Sequence, residues 1–312
     1  MITDSFDIID ERFAAFVLGN VHLERLHTGC RWSEGAAYFA GGRYLLWSDI
    51  PNDRVLRWDE TDGSVSVFQS PSFYANGHTL DREGRLLACE HGGRCVSRYE
   101  HDGSRRVLTA GGEGWRLNSP NDVIVKSDGS VWFTDPSYGI DSDYEGHAAP
   151  HETDGCHVWR LDPESGRLTA VATDFQQPNG LAFSPDEQLL YVADTGASHS
   201  RNGHRHIRRF SVSPDGETLS GGEVFAECSV GLHDGFRLDT HGNLWASAAD
   251  GVHCYADDGV LIGKINVPEV VSNVCFGGIK RNRLFICATT SLYSVYVKTA
   301  GALRPARGVQ AR

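Results

Sequence analysis

Short runs of β-branched and aromatic residues recur along the chain, and each run is bounded by Gly, Asp or Pro. Examples are Tyr44-Leu-Leu-Trp-Ser-Asp49, Val131-Trp-Phe-Thr-Asp135 and Leu189-Leu-Tyr-Val-Ala-Asp194. Runs of this length and composition are typical of β-strands. Because the apolar spacing of long helices is absent, the pattern predicts an all-β protein.

One unit, a turn followed by a strand, occurs six times. Its turn positions fall at residues 42, 84, 129, 187, 242 and 281. These intervals suit four-stranded blades of about 40 residues or slightly more. The sequence therefore predicts a single six-bladed β-propeller, and a jelly roll or two β-sandwiches is the alternative.

The last unit offers strands only near residues 271–276, 283–288 and 291–297. Since a propeller has to close its ring, we expect Val21–His27 to supply the missing strand of the last blade. The chain then consists of an N-terminal extension (1–20), a propeller domain (21–298) and a tail (299–312). The tail lacks apolar periodicity and is predicted to be flexible.

An acid or an amide stands eight residues before every turn position. The six residues are Glu34, Asn76, Asn121, Asn179, Asp234 and Asn273. The residues between them and the turns form the innermost strands, so we expect a ring of oxygen-bearing side chains at one mouth of the central channel. Two carboxylates among amides suit a hard divalent cation, and without one the carboxylates would repel each other. A water-filled channel is the alternative.

The second strand of each blade returns to the same mouth. In four blades it ends at Asp49, His91, Asp135 or Asp194. Asp49 and Asp194 either contact a ligand or hydrogen-bond backbone amides, and His91 is either a proton carrier or structural. The insertions 136–156 and 195–206 follow two of these ends and are predicted to form a partial lid. Their histidines share no repeated spacing, which argues against a zinc site in the lid.

Composition narrows the class of protein. Twenty-nine Lys and Arg against 41 Asp and Glu give a net charge of −12, which argues against nucleic-acid binding. No apolar run is long enough to cross a membrane, and the N-terminus carries acids where an export signal has basic and apolar residues, so we expect a cytoplasmic protein. The eight cysteines form no C-x-x-C pair, which favours buried free thiols.

Four segments resemble the SMP-30/gluconolactonase/LRE family over about residues 20–298. They are Arg116–Val125, Ser127–Pro136, Pro178–Asp186 and Asp234–Asp239. The resemblance implies hydrolysis of a sugar lactone at one divalent metal ion, with calcium first and zinc, manganese or iron(II) as alternatives. It implies that Glu34, Asn179 and Asp234 bind the metal, and that Asn121 completes the coordination or touches the substrate. Asp234 and Glu34 are then the catalytic residues, with Asp234 also serving as general base.

Sugar hydroxyls need several hydrogen-bond donors and acceptors. Besides Asn121, we expect these from residues of the mouth and the lid, namely Arg116, Asn118, Asp135, Tyr138 and His91. The predicted partner is a small-molecule lactone, bound by a monomer or weak homo-oligomer. The alternatives are a metal-dependent esterase or phosphotriesterase on the same scaffold, and a calcium-binding or partner-docking propeller without catalysis.

Overall fold

The computed structural model describes residues 5–302, which form six antiparallel sheets arranged as the blades of a propeller. The N-terminal segment contains strand β1 (Phe6–Ile8), helix α1 (Glu11–Ala14) and strand β2 (Glu24–Thr28). Blades 1 and 2 contain β3 (Ser33–Phe39), β4 (Tyr44–Asp49), β5 (Arg54–Asp59), β6 (Val65–Gln69), β7 (Ala75–Leu80), β8 (Leu86–Glu90), β9 (Cys95–Tyr99) and β10 (Arg105–Thr109). A small hairpin, β11 (Gly111–Gly112) and β12 (Trp115–Arg116), precedes blade 3.

The later blades follow the same order from the channel outward. Blades 3 and 4 contain β13 (Val123–Val125), β14 (Val131–Asp135), β15 (Cys156–Leu161), β16 (Leu168–Phe175), β17 (Pro178–Phe183), β18 (Leu189–Asp194), β19 (His206–Val212) and β20 (Leu219–Glu227). Blades 5 and 6 contain β21 (Phe236–Leu238), β22 (Leu244–Ala248), β23 (Gly251–Tyr255), β24 (Leu261–Asn266), β25 (Val271–Gly277), β26 (Arg283–Ala288) and β27 (Ser291–Tyr296). Helix α2 (Tyr138–Asp141) and the 3-10 turns Ile50–Asn52 and Gly196–Ser198 follow second strands.

The N-terminus closes the ring, as predicted. Strand β2 pairs antiparallel with β27, so that Glu24 lies opposite Ser294 and Thr28 opposite Ser291. The strand begins three residues later than the sequence pattern indicated. This outermost strand gives blade 6 its fourth member and confirms the six-bladed propeller.

The N-terminal extension is folded onto blade 5. Strand β1 pairs with β24 and adds a fifth strand to that blade. Phe13 of α1 is fully buried, and its ring lies 5.7 Å from that of Trp245. Helix α1 is therefore held by packing, because an isolated helix of this length is not stable.

The core of the described chain lies between neighbouring blades, where both faces of each sheet are covered. Six apolar clusters occupy the six blade interfaces. Trp47, Trp132 and Trp245 are fully buried in three of them. All eight cysteines are buried free thiols, as the sequence indicated. Among the described residues, no helix is both long enough and apolar enough to span a membrane.

The predicted boundary of the flexible tail at residue 299 is too early. Gly301 forms a β-bridge with Asp239, and the amide of Thr240 donates to the carbonyl of Ala300 at 2.9 Å. Residues 299–302 are therefore held against blade 5. The rest of the predicted tail, 303–312, lies outside the described residues, as do residues 1–4.

Candidate metal and substrate site

The ring of acids and amides predicted from the register lies at one mouth of the channel. Five of its six side chains line a cavity of about 430 Å³, namely Glu34, Asn76, Asn121, Asn179 and Asp234. The sixth, Asn273, is buried and donates its amide to Glu34 Oε2 at 2.8 Å. The register argument therefore brings all six residues together.

Glycines allow the ring to be this tight, because four ring residues are followed directly by Gly. A Cβ on Gly35 would lie 1.8 Å from the carbonyl oxygen of Asn76, and one on Gly180 would lie 2.2 Å from that of Asp234. Neighbouring innermost strands approach too closely for any side chain at these positions. The glycine that follows four of the six ring residues is a feature that the turn register alone did not use.

The two carboxylates of the ring lie in an environment that disfavours their ionised forms. Burial raises the pKa of Glu34, although hydrogen bonds to its Oε2 from the Gly35 amide (2.6 Å) and from Asn273 oppose this shift. Burial also raises the pKa of Asp234 well above its usual range, and the charge of Glu34 adds to the shift. A bound cation would remove this penalty, since it favours both ionised forms.

Amide oxygens of the ring also lack partners. Asn76 Oδ1 and Asn273 Oδ1 are buried, and within residues 5–302 neither has a hydrogen-bond partner. The Asn76 amide is oriented by His91: because His91 Nδ1 donates to the carbonyl of Glu145 (3.0 Å), its Nε2 accepts from Asn76 Nδ2 (3.2 Å). Two acids together with unpaired amide oxygens form a donor set that fits a hard divalent cation or its bound waters.

Both predicted lid insertions contribute to the cavity wall. The lining side chains from them are Tyr138, Tyr144, Glu145, Thr195 and Ser198. The Tyr138 hydroxyl joins the two insertions, because it lies 2.7 Å from Thr195 Oγ1 and 2.8 Å from Ser198 Oγ. Thr195 Oγ1 also accepts from Asn179 Nδ2 at 3.3 Å, so the lid is connected to the ring.

Glu145 is a cavity residue that the sequence did not single out. Burial, reinforced by the charge of Asp141, raises the pKa of its carboxyl to about 7. Among the described residues this carboxyl makes no hydrogen bond or ion pair. Its backbone is nevertheless held by His91, and the next residue, Gly146, packs against the backbone of Gly139. Nothing in the sequence distinguishes Glu145 from the other acids of its insertion.

Four residues expected to bind sugar hydroxyls lie away from the cavity wall. Asn118, Asp135 and His91 are buried and bonded to protein groups: the Asn118 amide nitrogen donates to Asp135 Oδ2 (2.9 Å), and Asn118 Nδ2 donates to the carbonyl of Gly155 (3.0 Å). Arg116 is exposed and donates to the carbonyl of Gly93. The second strand of a blade is one strand removed from the channel, so its end supports the mouth from behind.

Two further acids at the ends of second strands hold backbone amides, which was one of their two predicted roles. Asp49 Oδ1 accepts from the amide of Arg31 at 2.8 Å. Asp194 accepts from the amides of Gln176 (3.0 Å) and Gln177 (2.9 Å). Neither lines the cavity. These carboxylates fix the segments that lead into the innermost strand of their own blade.

The fold and the site together define a class of protein, a six-bladed propeller with an oxygen-lined site at one channel mouth. The chain belongs to the SMP-30/gluconolactonase/LRE-like family, whose model matches residues 32–290, as its sequence motifs indicated. It is 34% identical over 302 residues to a gluconolactonase of Zymomonas mobilis, which covers 89% of this chain and 82% of that protein. It is 32% identical over 283 residues to the pentonolactonase XacC of Haloferax volcanii, covering 88% and 83% respectively.

A solved structure agrees with these similarities. The gluconolactonase of Xanthomonas campestris is 39% identical to this chain and superposes with a TM-score of 0.87, covering 95% of both chains. At this level of similarity the backbone path through the six blades is shared. The resemblance predicted from the sequence motifs is confirmed.

Proposed function

We propose that this protein is a metal-dependent hydrolase that opens a sugar lactone to the aldonic acid. The observation that carries the proposal is the cavity of about 430 Å³, whose inner wall holds two acids and several amides and whose outer wall is a polar lid. A volume of this order suits a small ligand. The relatives named gluconolactonase and pentonolactonase point to the same class of substrate.

In this proposal Glu34, Asn179 and Asp234 hold one divalent cation, and Asn121 lies beside it toward the substrate. Oxygen donors alone favour calcium, with zinc, manganese or iron(II) as alternatives. When bound, such a cation polarises a lactone carbonyl and lowers the pKa of a coordinated water. Asn273 and the Gly35 amide hold Glu34 in place through its Oε2.

Hydrolysis needs one proton acceptor and one proton donor. The water oxygen bonds to the carbonyl carbon, its proton passes to a base, and the bond to the ring oxygen breaks as that oxygen receives a proton. Asp234 is the base implied by the family motif, and its side chain lines the cavity. Glu145 lines the same cavity with a pKa raised to about 7 by burial, so near neutral pH it can give or take the second proton.

The lid positions the sugar. The Tyr138 hydroxyl uses two of its hydrogen-bonding directions on Thr195 and Ser198 and retains one for a substrate hydroxyl. Asn121 lines the same cavity. We assign a supporting role behind the mouth to Asn118, Asp135 and His91. Arg116 lies on the exposed surface of the β11–β12 hairpin and is not assigned to the substrate. A cytoplasmic location and a monomeric or weakly associating state stay predictions.

The test measures acid release from a panel of gluconolactone, xylonolactone, galactonolactone and arabinonolactone in weak buffer, corrected for spontaneous hydrolysis. Chelator-stripped protein is assayed before and after addition of single metals. We expect one metal to restore rapid opening of one or a few of these lactones. If no metal gives a rate above background on any of them, the lactonase proposal fails. Aryl esters and phosphotriesters in the same panel then test the alternative hydrolase class.

A further inference from the structure

A second group of metal-binding side chains lies outside the cavity. Asp194, His204 and His206 each offer a ligand atom, and these atoms lie within 4.8 Å of one another. Asp194 is the last residue of β18 and His206 the first of β19, and the two are paired opposite each other. The histidines of the lid show no metal spacing along the sequence, but strand pairing brings two of them to one carboxylate.

The nitrogen atoms of this group are suitable as ligands. His206 Nε2 is buried and has no hydrogen-bond partner in the described part of the chain. Burial, with the neighbouring His204 as the next cause, lowers the pKa of His206. His204 Nδ1 lies 2.9 Å from Asp194 Oδ2, and the two imidazole rings stack at 4.7 Å.

The backbone around the group is fixed. Asp194 is held by the amides of Gln176 and Gln177. The amide of His204 donates to Gln176 Oε1 at 2.8 Å, and its carbonyl accepts from the amide of Ala197 at 2.8 Å. Tetrahedral zinc with bonds of ~2.1 Å places its ligand atoms ~3.4 Å apart. The ligand atoms of this group lie within 4.8 Å of one another, so some of them would have to approach by up to about 1.4 Å.

We propose that Asp194, His204 and His206 form a second metal site, which takes zinc or a similar divalent transition cation. Imidazole nitrogen favours such cations over calcium, so the site is chemically distinct from the oxygen-lined ring. Three protein ligands leave one position for water. The His204 side chain is 43% exposed, so the position is accessible from solvent. On binding, the cation takes the place of the proton between His204 Nδ1 and Asp194, and that proton moves to Nε2 of the same imidazole.

The location of the site gives the cation a structural effect. Asp194 directly precedes the second lid insertion and His206 is its last residue, so a shared cation closes the base of that insertion. Thr195, the residue after Asp194, contacts both Tyr138 and Asn179. We expect the cation to reduce local opening of the lid. Any effect of a more closed lid on turnover rests on the proposed function, whereas binding of the cation to the second site does not.

The experiment adds zinc, and separately cobalt(II), to chelator-stripped protein in excess calcium, which fills the ring. Calorimetry should show a single further equivalent of zinc. Cobalt(II) should give the visible absorption of a histidine-bound, four-coordinate ion. Hydrogen exchange of the amides in 195–205 should slow when zinc binds. His204→Asn and His206→Asn should each weaken zinc binding at least about 100-fold.

Two controls separate this site from the rest of the molecule. His199→Asn changes a lid histidine that bonds to Asp141 and lies outside the group, so it should bind zinc as the unchanged protein does. Asp234→Asn, in the ring, should also keep the further equivalent. If both His204→Asn and His206→Asn bind zinc normally, or if only Asp234→Asn loses it, the proposal is overturned. Circular dichroism of each variant shows that the blades are intact.

Discussion

The channel has acids at two neighbouring levels, the ring at the mouth and the position one residue further along the chain, and within the described residues only at the second level does an acid have a cationic partner. At the mouth, Glu34 and Asp234 line a cavity, and neither forms an ion pair with any described residue. One residue further along from the ring, Asp122 accepts from Arg237 Nη1 at 3.2 Å and from the amide of Val123 at 2.9 Å. The acids of the mouth layer therefore need a cation from outside the protein, whereas the acid of the second layer is neutralised by an arginine of the same chain.

This difference separates a binding site from a structural element of the same channel. A buried acid that has a cationic partner stabilises one arrangement of the blades, and removal of either partner is costly. A buried acid that has none makes the metal-free fold less stable, because burial opposes its charge. The mouth layer is therefore the part of the channel whose stability we expect to depend most on a cation.

The largest expected effect is on turnover in Glu34→Gln. The substitution keeps the shape but removes one of the two mouth charges, so we expect lactone hydrolysis to fall by roughly 10³-fold or more. The metal-free variant should be more stable to heat than the metal-free parent, because one uncompensated carboxylate has gone. Glu83→Gln, on an exposed turn of blade 2, is the matched control and should change neither property. Unchanged turnover in Glu34→Gln would remove this residue from the site.

In the second layer, removal of an acid should lower the stability of the protein, whereas in the mouth layer it should raise the stability of the metal-free form. Asp122→Asn leaves the Arg237 guanidinium, whose side chain is 20% exposed, without its carboxylate partner, which should lower the free energy of unfolding by about 1.5–3 kcal/mol. Urea denaturation measures the loss. A second substitution, Arg237→Met, should recover part of it by removing the orphaned charge. A loss below about 1 kcal/mol in Asp122→Asn would mean that the two layers do not differ as proposed.

The repeat explains why the mouth could be predicted from the sequence. In every blade a fixed eight-residue step separates the turn from the mouth, so aligned turns locate Glu34, Asp234 and the four asparagines without knowledge of the fold. The closing N-terminal strand followed from the same count of strands. The repeat therefore predicted both the fold class and the ring, because in a regular strand the number of residues between two positions fixes where each of them lies.

Irregular segments carried no such information. Glu145 reaches the cavity through turns in its insertion that no period describes. Sequence places Asn118, His91 and Asp135 near the mouth, but only the structure shows that their partners lie behind it. His204 and His206 meet Asp194 through strand pairing across an insertion, which spacing along the chain does not reveal.

A smaller effect is expected from His91, which supports the mouth by orienting Asn76 and the backbone of Glu145. His91→Leu removes both hydrogen bonds, so kcat should fall by about 10–100-fold. The shape of the pH profile above pH 6 should not change, because burial lowers the pKa of His91 to about 4 and the ring stays neutral. His91→Gln should recover part of the loss. Disappearance of an ionisation from the profile would instead make His91 a proton carrier.

Asp135 shows a third way to bury an acid near the channel, by retaining its proton. Burial raises its pKa to about 7, whereas an unfolded chain releases the proton near pH ~3.9. Between these values the folded state binds more protons, so the contribution of Asp135 to stability is greatest at low pH, falls as the pH rises from about 4 to about 7, and is then constant.

Asp135→Asn removes this titration but keeps an oxygen that can accept from the Asn118 amide. Relative to the parent, the variant should gain about 2.6 kcal/mol in free energy of unfolding between pH 5 and pH 8. Urea denaturation of both proteins at the two pH values measures the difference. A constant difference would place the ionisation of Asp135 at its usual pH, and the carboxylate would then need a cationic partner, as Asp122 does. A gain of this size would show that this buried acid beside the mouth retains its proton at pH 5 and loses it by pH 8.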